Sequence, residues 1–347
     1  MVGIAALTII GPLAAAALAP LGRRHAGRIA LLGAAIGLVA ALVTLGRVDR
    51  GDRFAATLPG LPDLPLRLAV DPLGAVLSAT VAVVSTAVLL YAVGYMASER
   101  DTARFYAEMA LFVAAMQTLV LAGDWFLLLA AWELIALASY LLIGFWFTRP
   151  GVGAAATRAF LVTRAADIGL YVGVMVIIVE TGTSAMDATG EVDGTAATVA
   201  ALALLLAAAG KSAQAPLQGW LMDAMAGPTP VSALLHAATL VVAGVVLLAR
   251  AFPLMPSNVL LIVGLVAGLT AVITGLTAIV QGDLKRLLAA STSSQLGLML
   301  LALGAGSVPA AIFHLVTHAA MKSSLFLAAG VFQHDRDSTD FTDLAGV

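Results

Sequence analysis

The chain has no cysteine in 347 residues, which excludes disulfides, iron–sulfur clusters and cysteine-ligated zinc. Haem survives that exclusion, because histidine can ligate it and five histidines are present. Charge is almost as scarce: 11% of residues are Asp, Glu, Lys or Arg, against about a quarter in a soluble domain. Together with 61% hydrophobic residues and a mean hydropathy of +1.03, this excludes a water-soluble globular fold. Eighteen basic and twenty acidic residues balance to −2, and there is no basic run to hold a nucleic acid.

Long apolar runs are what remains. A membrane-crossing helix needs roughly 20 predominantly apolar residues, and eleven stretches meet that need: 2–21, 28–46, 71–97, 105–122, 124–147, 156–180, 196–212, 231–250, 257–281, 286–304 and 308–331. The fold class that follows is all-α, a polytopic membrane helix bundle of about eleven transmembrane helices. The first stretch lacks the basic leader and short core of a signal peptide, and reads as a spanning helix. Most connections are short. The longest, 47–70, is polar and rich in Pro and Arg, and is expected outside the bilayer; 181–195 is a second polar loop whose only charges are acidic. With the N-terminus outside, the inner loops hold Arg23, Arg24, Arg28, Arg100, Arg104, Arg149, Arg158, Lys285, Arg286 and Arg336. The outer loops hold Arg47, Arg50, Arg53, Arg67 and Arg250. The excess of inner cations predicts N-out and C-in, with the 47–70 loop dissenting.

The seventh stretch is interrupted. Gly210-Lys211-Ser212-Ala213-Gln214-Ala215-Pro216 puts a charge, polar groups and a proline where the helix would continue. Irregular backbone at membrane depth is tolerated only inside protein or beside a wet cavity, as in a transporter's broken helix.

Ionisable residues inside spans cost about 2.5–3.5 kcal/mol each on insertion scales, so each needs a reason. Glu133 lies in the middle of the fifth stretch: either a protonated carboxyl that glues helices, or a relay carboxylate governed by burial and a nearby cation. Lys211 at the helix-seven break is either a proton-exchanging ammonium or a lysine snorkelling to the interface. His236 follows Gly227-Pro228-Thr229-Pro230 and opens the eighth stretch; the plain alternative is a satisfied core histidine. His314, His318 and Lys322 stand at i, i+4 and i+8 on the eleventh, one face of a helix. Two histidines at i, i+4 can bind zinc, but no third ligand accompanies them; a row of titratable groups suits proton hopping better. Arg164 and Asp167, at i, i+3 on the sixth stretch, read first as a mutually neutralising pair. Lys285 and Arg286, after Asp283, read as a solvated loop.

Three blocks carry a family resemblance. The first is Trp132-Glu133 with Ser139-Tyr140-Leu141-Leu142-Ile143-Gly144-Phe145. The second runs from Gly210 to Gln214 through Pro216-Leu217-Gln218, Trp220-Leu221 and Asp223-Ala224-Met225, into Gly227-Pro228-Thr229-Pro230-Val231-Ser232-Ala233-Leu234-Leu235-His236-Ala237-Ala238-Thr239. The third is Asp283-Leu284-Lys285-Arg286 with Ser291 to Gly297, completed by Phe313-His314-Leu315, Thr317-His318-Ala319 and Lys322. From Asp71 onward the chain resembles the antiporter-like subunit L (chain 5) of respiratory complex I and its relative in Mrp-type sodium/proton antiporters. The resemblance implies inverted five-helix repeats, each with a broken helix, and a hydrophilic axis along the membrane midplane. It implies Glu133 as the carboxylate paired with the broken-helix lysine, Lys211. His236, His314, His318 and Lys322 would continue the axis, with Asp167 at a family acidic position and Arg164 as its partner. Redox chemistry would sit in other subunits, leaving no cofactor in this chain. The family pattern runs on past Val347, so the second repeat is incomplete here.

The expected segments are 1–104 (helices 1–3), 105–256 (a first antiporter-like repeat) and 257–347 (an incomplete second repeat). The expected function is proton translocation, as a non-catalytic membrane subunit of an NADH:quinone oxidoreductase complex in a cell (inner) membrane. Its partners would be other membrane subunits and the lipid bilayer. Two alternatives stay open: an Mrp-type antiporter subunit, and a non-conducting scaffold for redox or carbon-uptake partners.

Overall fold

Apolar runs with few turn formers between them give helices, and the computed structural model, which describes residues 2–61, 64–336 and 338–345, is built mainly of them. In chain order these are α1 (Val2–Gly22), α2 (Ala26–Val48), α3 (Pro72–Tyr95), α4 (Thr102–Val120), α5 (Trp125–Ile143), α6 (Val152–Thr181) and α7 (Gly194–Lys211). There follow α8 (Gly219–Asp223), α9 (Thr229–Ala237), α10 (Ala243–Arg250), α11 (Ser257–Ile279), α12 (Leu284–Gly304), α13 (Val308–Arg336) and α14 (Phe341–Leu344). Among the described residues nine stretches are long and apolar enough to cross a membrane. One of them, Gly3–Val48, contains both α1 and α2, joined by a 3-10 turn at Arg23–His25, and α4, with Arg104 and Glu108, lies outside the nine. The chain is an all-α polytopic membrane protein.

The 47–70 connection is more ordered than its prolines imply. β1 (Phe54–Leu61) pairs antiparallel with β2 (Leu64–Val70), Phe54 opposite Val70 and Ala56 opposite Leu68, with a register shift between Leu58 and Leu61. Alternation explains it: Phe54, Ala56, Leu68 and Val70 turn one face of the hairpin onto Ala5 and Leu121. Pro59 and Pro65 are tolerated because a two-stranded ribbon is all edge.

The chain forms two compact units, a partition different from the repeat-based segments. The first is Met1–Leu142 with Ser184–Asp187. Its buried polar groups are mostly satisfied without charge. Ser78 Oγ donates to Gln117 Oε1 (2.7 Å), while Gln117 Nε2 donates to the Ser78 carbonyl (3.0 Å) and Tyr106 Oη to the Ala92 carbonyl (2.9 Å). The buried Asp124 carboxylate accepts from the Leu127 amide at the start of α5 (2.8 Å) and from the Arg67 amide of β2.

The second unit is Ile143–Thr183 with Ala188–Val347. Here glycines set how closely the helices approach. A Cβ on Gly169 would lie 2.2 Å from the Ala203 carbonyl oxygen, and one on Gly210 2.2 Å from the Ala166 Cβ, so α6 and α7 meet nearly backbone to backbone. The same device, at Gly297 and Gly304, presses α12 onto α11. After α13 the chain returns: the Leu284 amide donates to the Thr339 carbonyl (2.8 Å) and the Phe341 amide to the Gly282 carbonyl (2.9 Å), clasping residues 339–341 against the start of α12.

Candidate functional site: a buried line of cations and imidazoles

The site lies in the second unit and starts where α7 stops. Lys211 is the last residue of α7, and Ser212–Gln218 leaves the helix, with Ala213 at φ +48° and a cis Ala215–Pro216 peptide. The released backbone is held from three sides. Ser293 Oγ of α12 donates to the Ala213 carbonyl (2.6 Å), the Ala215 amide donates to Thr270 Oγ1 of α11 (3.0 Å), and Trp220 Nε1 donates to the Gly210 carbonyl (3.0 Å). The interruption read from the sequence is therefore real and protein-lined.

Lys211 and Asp167 are both 0% exposed, with Lys211 Nζ 3.3 Å from Asp167 Oδ2. The Gly210–Ala166 contact brings the two backbones close enough for this. Arg164 Nη1 lies 3.7 Å from the same Oδ2 and 3.3 Å from Tyr171 Oη. Asp167, read from the sequence as Arg164's partner, thus touches both cations. Glu133 is half-buried on α5 in the other compact unit.

The eighth span is also broken, which the sequence reading missed. Ala238 and Thr239 leave the helix between α9 and α10, and the whole stretch Thr229–Arg250 is buried. Thr239 Oγ1 donates to the Leu234 carbonyl (2.6 Å), satisfying an acceptor that the break frees. Gly244 then fits where a Cβ would come 2.4 Å from Ser212 Oγ, and Ser212 Oγ donates to the Val241 carbonyl (2.7 Å), so the two breaks are tied to each other. No proline or glycine marks Ala237-Ala238-Thr239, which is why the sequence reads as continuous helix. His236 consequently closes the short α9; it does not open a long helix.

His236 is fully buried and packs against Phe326 of α13, with the rings tilted and their centroids 4.9 Å apart. It lies within electrostatic reach of Lys322, His318 and Lys285. The α13 row is intact: His314 Nε2 bonds Gln295 Oε1 (2.8 Å), His318 is buried, and Lys322 Nζ donates to the Leu288 carbonyl of α12 (2.9 Å). Both ring nitrogens of His236, and Ser232 Oγ one turn before it, have no hydrogen-bond partner among the described residues. Buried polar atoms of this kind ordinarily bind water.

Lys285 corrects the solvated-loop reading. It is 2% exposed, in the first turn of α12, and donates to the carbonyls of Met225 (2.9 Å) and Gly227 (2.8 Å). The signal was present: Lys285, Leu288, Thr292 and Leu296 recur at helical spacing and all are buried. The flanking Asp283, which caps α12 through the Arg286 amide, and Arg286 hid it. Above Lys285 is a polar cavity of about 310 Å³ lined by Asp223, Asp283, Arg286, Gln333 and Thr339. Gln333 Oε1 accepts from Thr229 Oγ1, so a polar side runs from the cavity along α9 through Thr229 and Ser232 to His236.

With this geometry in place, the comparisons decide the family. The profile of the NADH:quinone oxidoreductase/Mrp antiporter transmembrane family matches residues 122–347, which hold every group of the buried line. The chain belongs to that family. Residues 59–106 match the N-terminal region of chain 5 of complex I, NADH-ubiquinone oxidoreductase. Among members of the NADH:quinone oxidoreductase/Mrp family, NADH-quinone oxidoreductase subunit L of Escherichia coli K12 is 47% identical over 277 residues, covering 77% of this chain and 45% of that protein. The chloroplast NAD(P)H-quinone oxidoreductase subunit 5 of Zygnema circumcarinatum is 45% identical over 278 residues, 76% of this chain and 40% of that one. The chain thus spans less than half the length of these curated relatives. A chain in the structure of the Mrp complex from Dietzia sp. DQ12-45-1b superposes with a TM-score of 0.87 over 96% of this chain and 38% of its own length, at 34% identity.

Proposed function

We propose that this chain is a proton-translocating membrane subunit of an NADH:quinone oxidoreductase complex. The observation that carries the reading is the fully buried Lys211–Asp167 pair at a protein-lined helix break, followed by the buried imidazoles of His236 and His318. In this mechanism Lys211 holds a proton while Asp167 neutralises it. When the influence of Asp167 shifts toward Arg164, the proton leaves for His236. It continues by water-bridged steps along His318 and His314 or to Lys322. Lys285, at the floor of the polar cavity, extends the line toward the aqueous phase. Redox chemistry belongs to other subunits; this chain carries no cofactor and works with membrane partners, N-terminus outside and C-terminus cytoplasmic.

The test is Lys211→Ala in the assembled complex, reconstituted in proteoliposomes. Proton pumping falls while insertion and assembly are retained; normal pumping rejects the relay. The likeness to the Mrp complex favours a second reading, sodium/proton antiport, which predicts sodium-dependent quenching of a pH dye in the same vesicles. A non-conducting scaffold would leave both assays unchanged by neutral substitutions at Glu133 and Lys211.

A further inference from the structure

The polar cavity above Lys285 has a graded wall. At its mouth stand the exposed Arg286 and the half-buried Asp283 and Thr339. Deeper in are Ala155 of α6, 6% exposed, and Lys285, 2% exposed. Thr339 belongs to the segment that returns after α13, so part of the mouth is built by chain outside the long helices.

Three hydrogen bonds clasp that segment to the start of α12. The Leu284 amide donates to the Thr339 carbonyl (2.8 Å), the Phe341 amide to the Gly282 carbonyl (2.9 Å), and Thr339 Oγ1 to Asp283 Oδ2. Apolar burial adds little to them. Ser338, Thr339 and Asp340 are half-buried, the side chains of α14 are exposed or half-buried, and Phe341 is 41% exposed. A segment held by exposed hydrogen bonds with few buried apolar contacts opens at low free energy. The segment also keeps its own shape: Asp340 Oδ1 accepts from the Thr342 amide (2.8 Å) and from Thr342 Oγ1 (2.6 Å), capping α14. The opposite wall, α12, is pressed onto α11 at Gly297 and Gly304 and has no such freedom.

We infer that residues 338–344 form a strap across the mouth of the polar cavity, closed by the Thr339–Asp283 bond and opening locally to admit water to the buried Lys285. Control of proton entry by the strap rests on the relay proposed above; control of access to the cavity does not.

The test uses the full-length chain in its assembled complex. The sequence has no cysteine, so Ala155→Cys places a single thiol on the cavity wall. Its reaction with a small, charged, water-soluble methanethiosulfonate is followed by peptide mass spectrometry. Thr339→Val keeps the shape of the side chain and removes its donor, and reaction at position 155 becomes about fivefold faster, the worth of one hydrogen bond. Asp283 and Asp340 oppose each other as a non-hydrogen-bonded antiparallel pair, a spacing of about 4.5 Å between Cα atoms and within disulfide reach. Asp283→Cys with Asp340→Cys therefore locks the strap: reaction at position 155 is suppressed while the disulfide is intact and returns on reduction. A rate unmoved by Thr339→Val, or one that is the same with the disulfide formed and reduced, overturns the strap. Proton pumping in proteoliposomes falls in the locked complex relative to its reduced form; equal pumping in the two overturns its control of entry. Normal pumping by Lys211→Ala would remove the relay and leave the two thiol measurements to decide the strap.

Discussion

Two ends of the buried line treat a cation differently. At the helix-seven break Lys211 faces a carboxylate, Asp167, which also draws in Arg164. At the other end Lys285 and Lys322 are as deeply buried, yet what they touch is backbone carbonyl: Met225 and Gly227 for one, Leu288 for the other. A carboxylate cancels an ammonium's charge and is itself left uncompensated if the ammonium goes. A carbonyl solvates the ammonium without cancelling its charge, and survives its loss as a neutral group. Removing one member of the first end therefore strands a buried charge, whereas removing a cation from the second leaves only neutral groups behind.

The sharpest way to break this contrast is to remove one member of the buried pair. Asp167→Ala leaves Lys211 uncompensated inside the protein, and single removals from buried pairs cost about 3–5 kcal/mol. Thermal unfolding in detergent should register a loss of that size. Adding Lys211→Ala should restore most of it, because both charges are then gone. A double variant no better than Asp167→Ala alone would show that the pair is not what stabilises the α6–α7 contact.

Lys322→Met is the counterpart. The Leu288 carbonyl it abandons still accepts from Thr292 Oγ1 at 2.8 Å, so no buried group is orphaned and Met fills a similar volume. Stability should change by no more than about 1 kcal/mol, while pumping in proteoliposomes is lost. A destabilisation as large as that of Asp167→Ala would erase the distinction between the two ends.

The sequence showed some members of this line far better than others. Lys211 was visible because Gly210, Ser212 and Pro216 advertise a break, and His314, His318 and Lys322 because i, i+4, i+8 spacing is a one-dimensional signal. The second break was hidden, since no helix breaker marks Ala238-Thr239: it is held by the local bond of Thr239 Oγ1 to the Leu234 carbonyl and by the contacts of Ser212 Oγ and Gly244 across the fold. Lys285 was misread because local charge outweighed its helical register. Asp167 was paired correctly with Arg164 but not with Lys211, 44 residues away in sequence: that contact depends on how closely Gly210 lets α7 approach α6. The β-hairpin was obscured by its prolines. Long helices follow from composition; which polar groups meet between them follows from packing, and a single sequence does not display it.

The smallest effect is expected at the surface ion pair between Arg158 of α6 and Asp223 of α8. Arg158 Nε lies 3.0 Å from Asp223 Oδ2 and Nη2 donates to Oδ1 at 3.3 Å, a two-pronged geometry, but the arginine side chain is 62% exposed. Exposed pairs are screened by water and salt and contribute about 0–1 kcal/mol. Arg158→Gln should therefore lower stability by less than about 0.5 kcal/mol, a difference that vanishes in high salt. Asp223 also lines the polar cavity above Lys285. If Arg158→Gln proved as costly as Asp167→Ala, the segment after the helix-seven break would be braced from the surface inward, and the buried Lys211–Asp167 pair would be a consequence of that brace, not its cause.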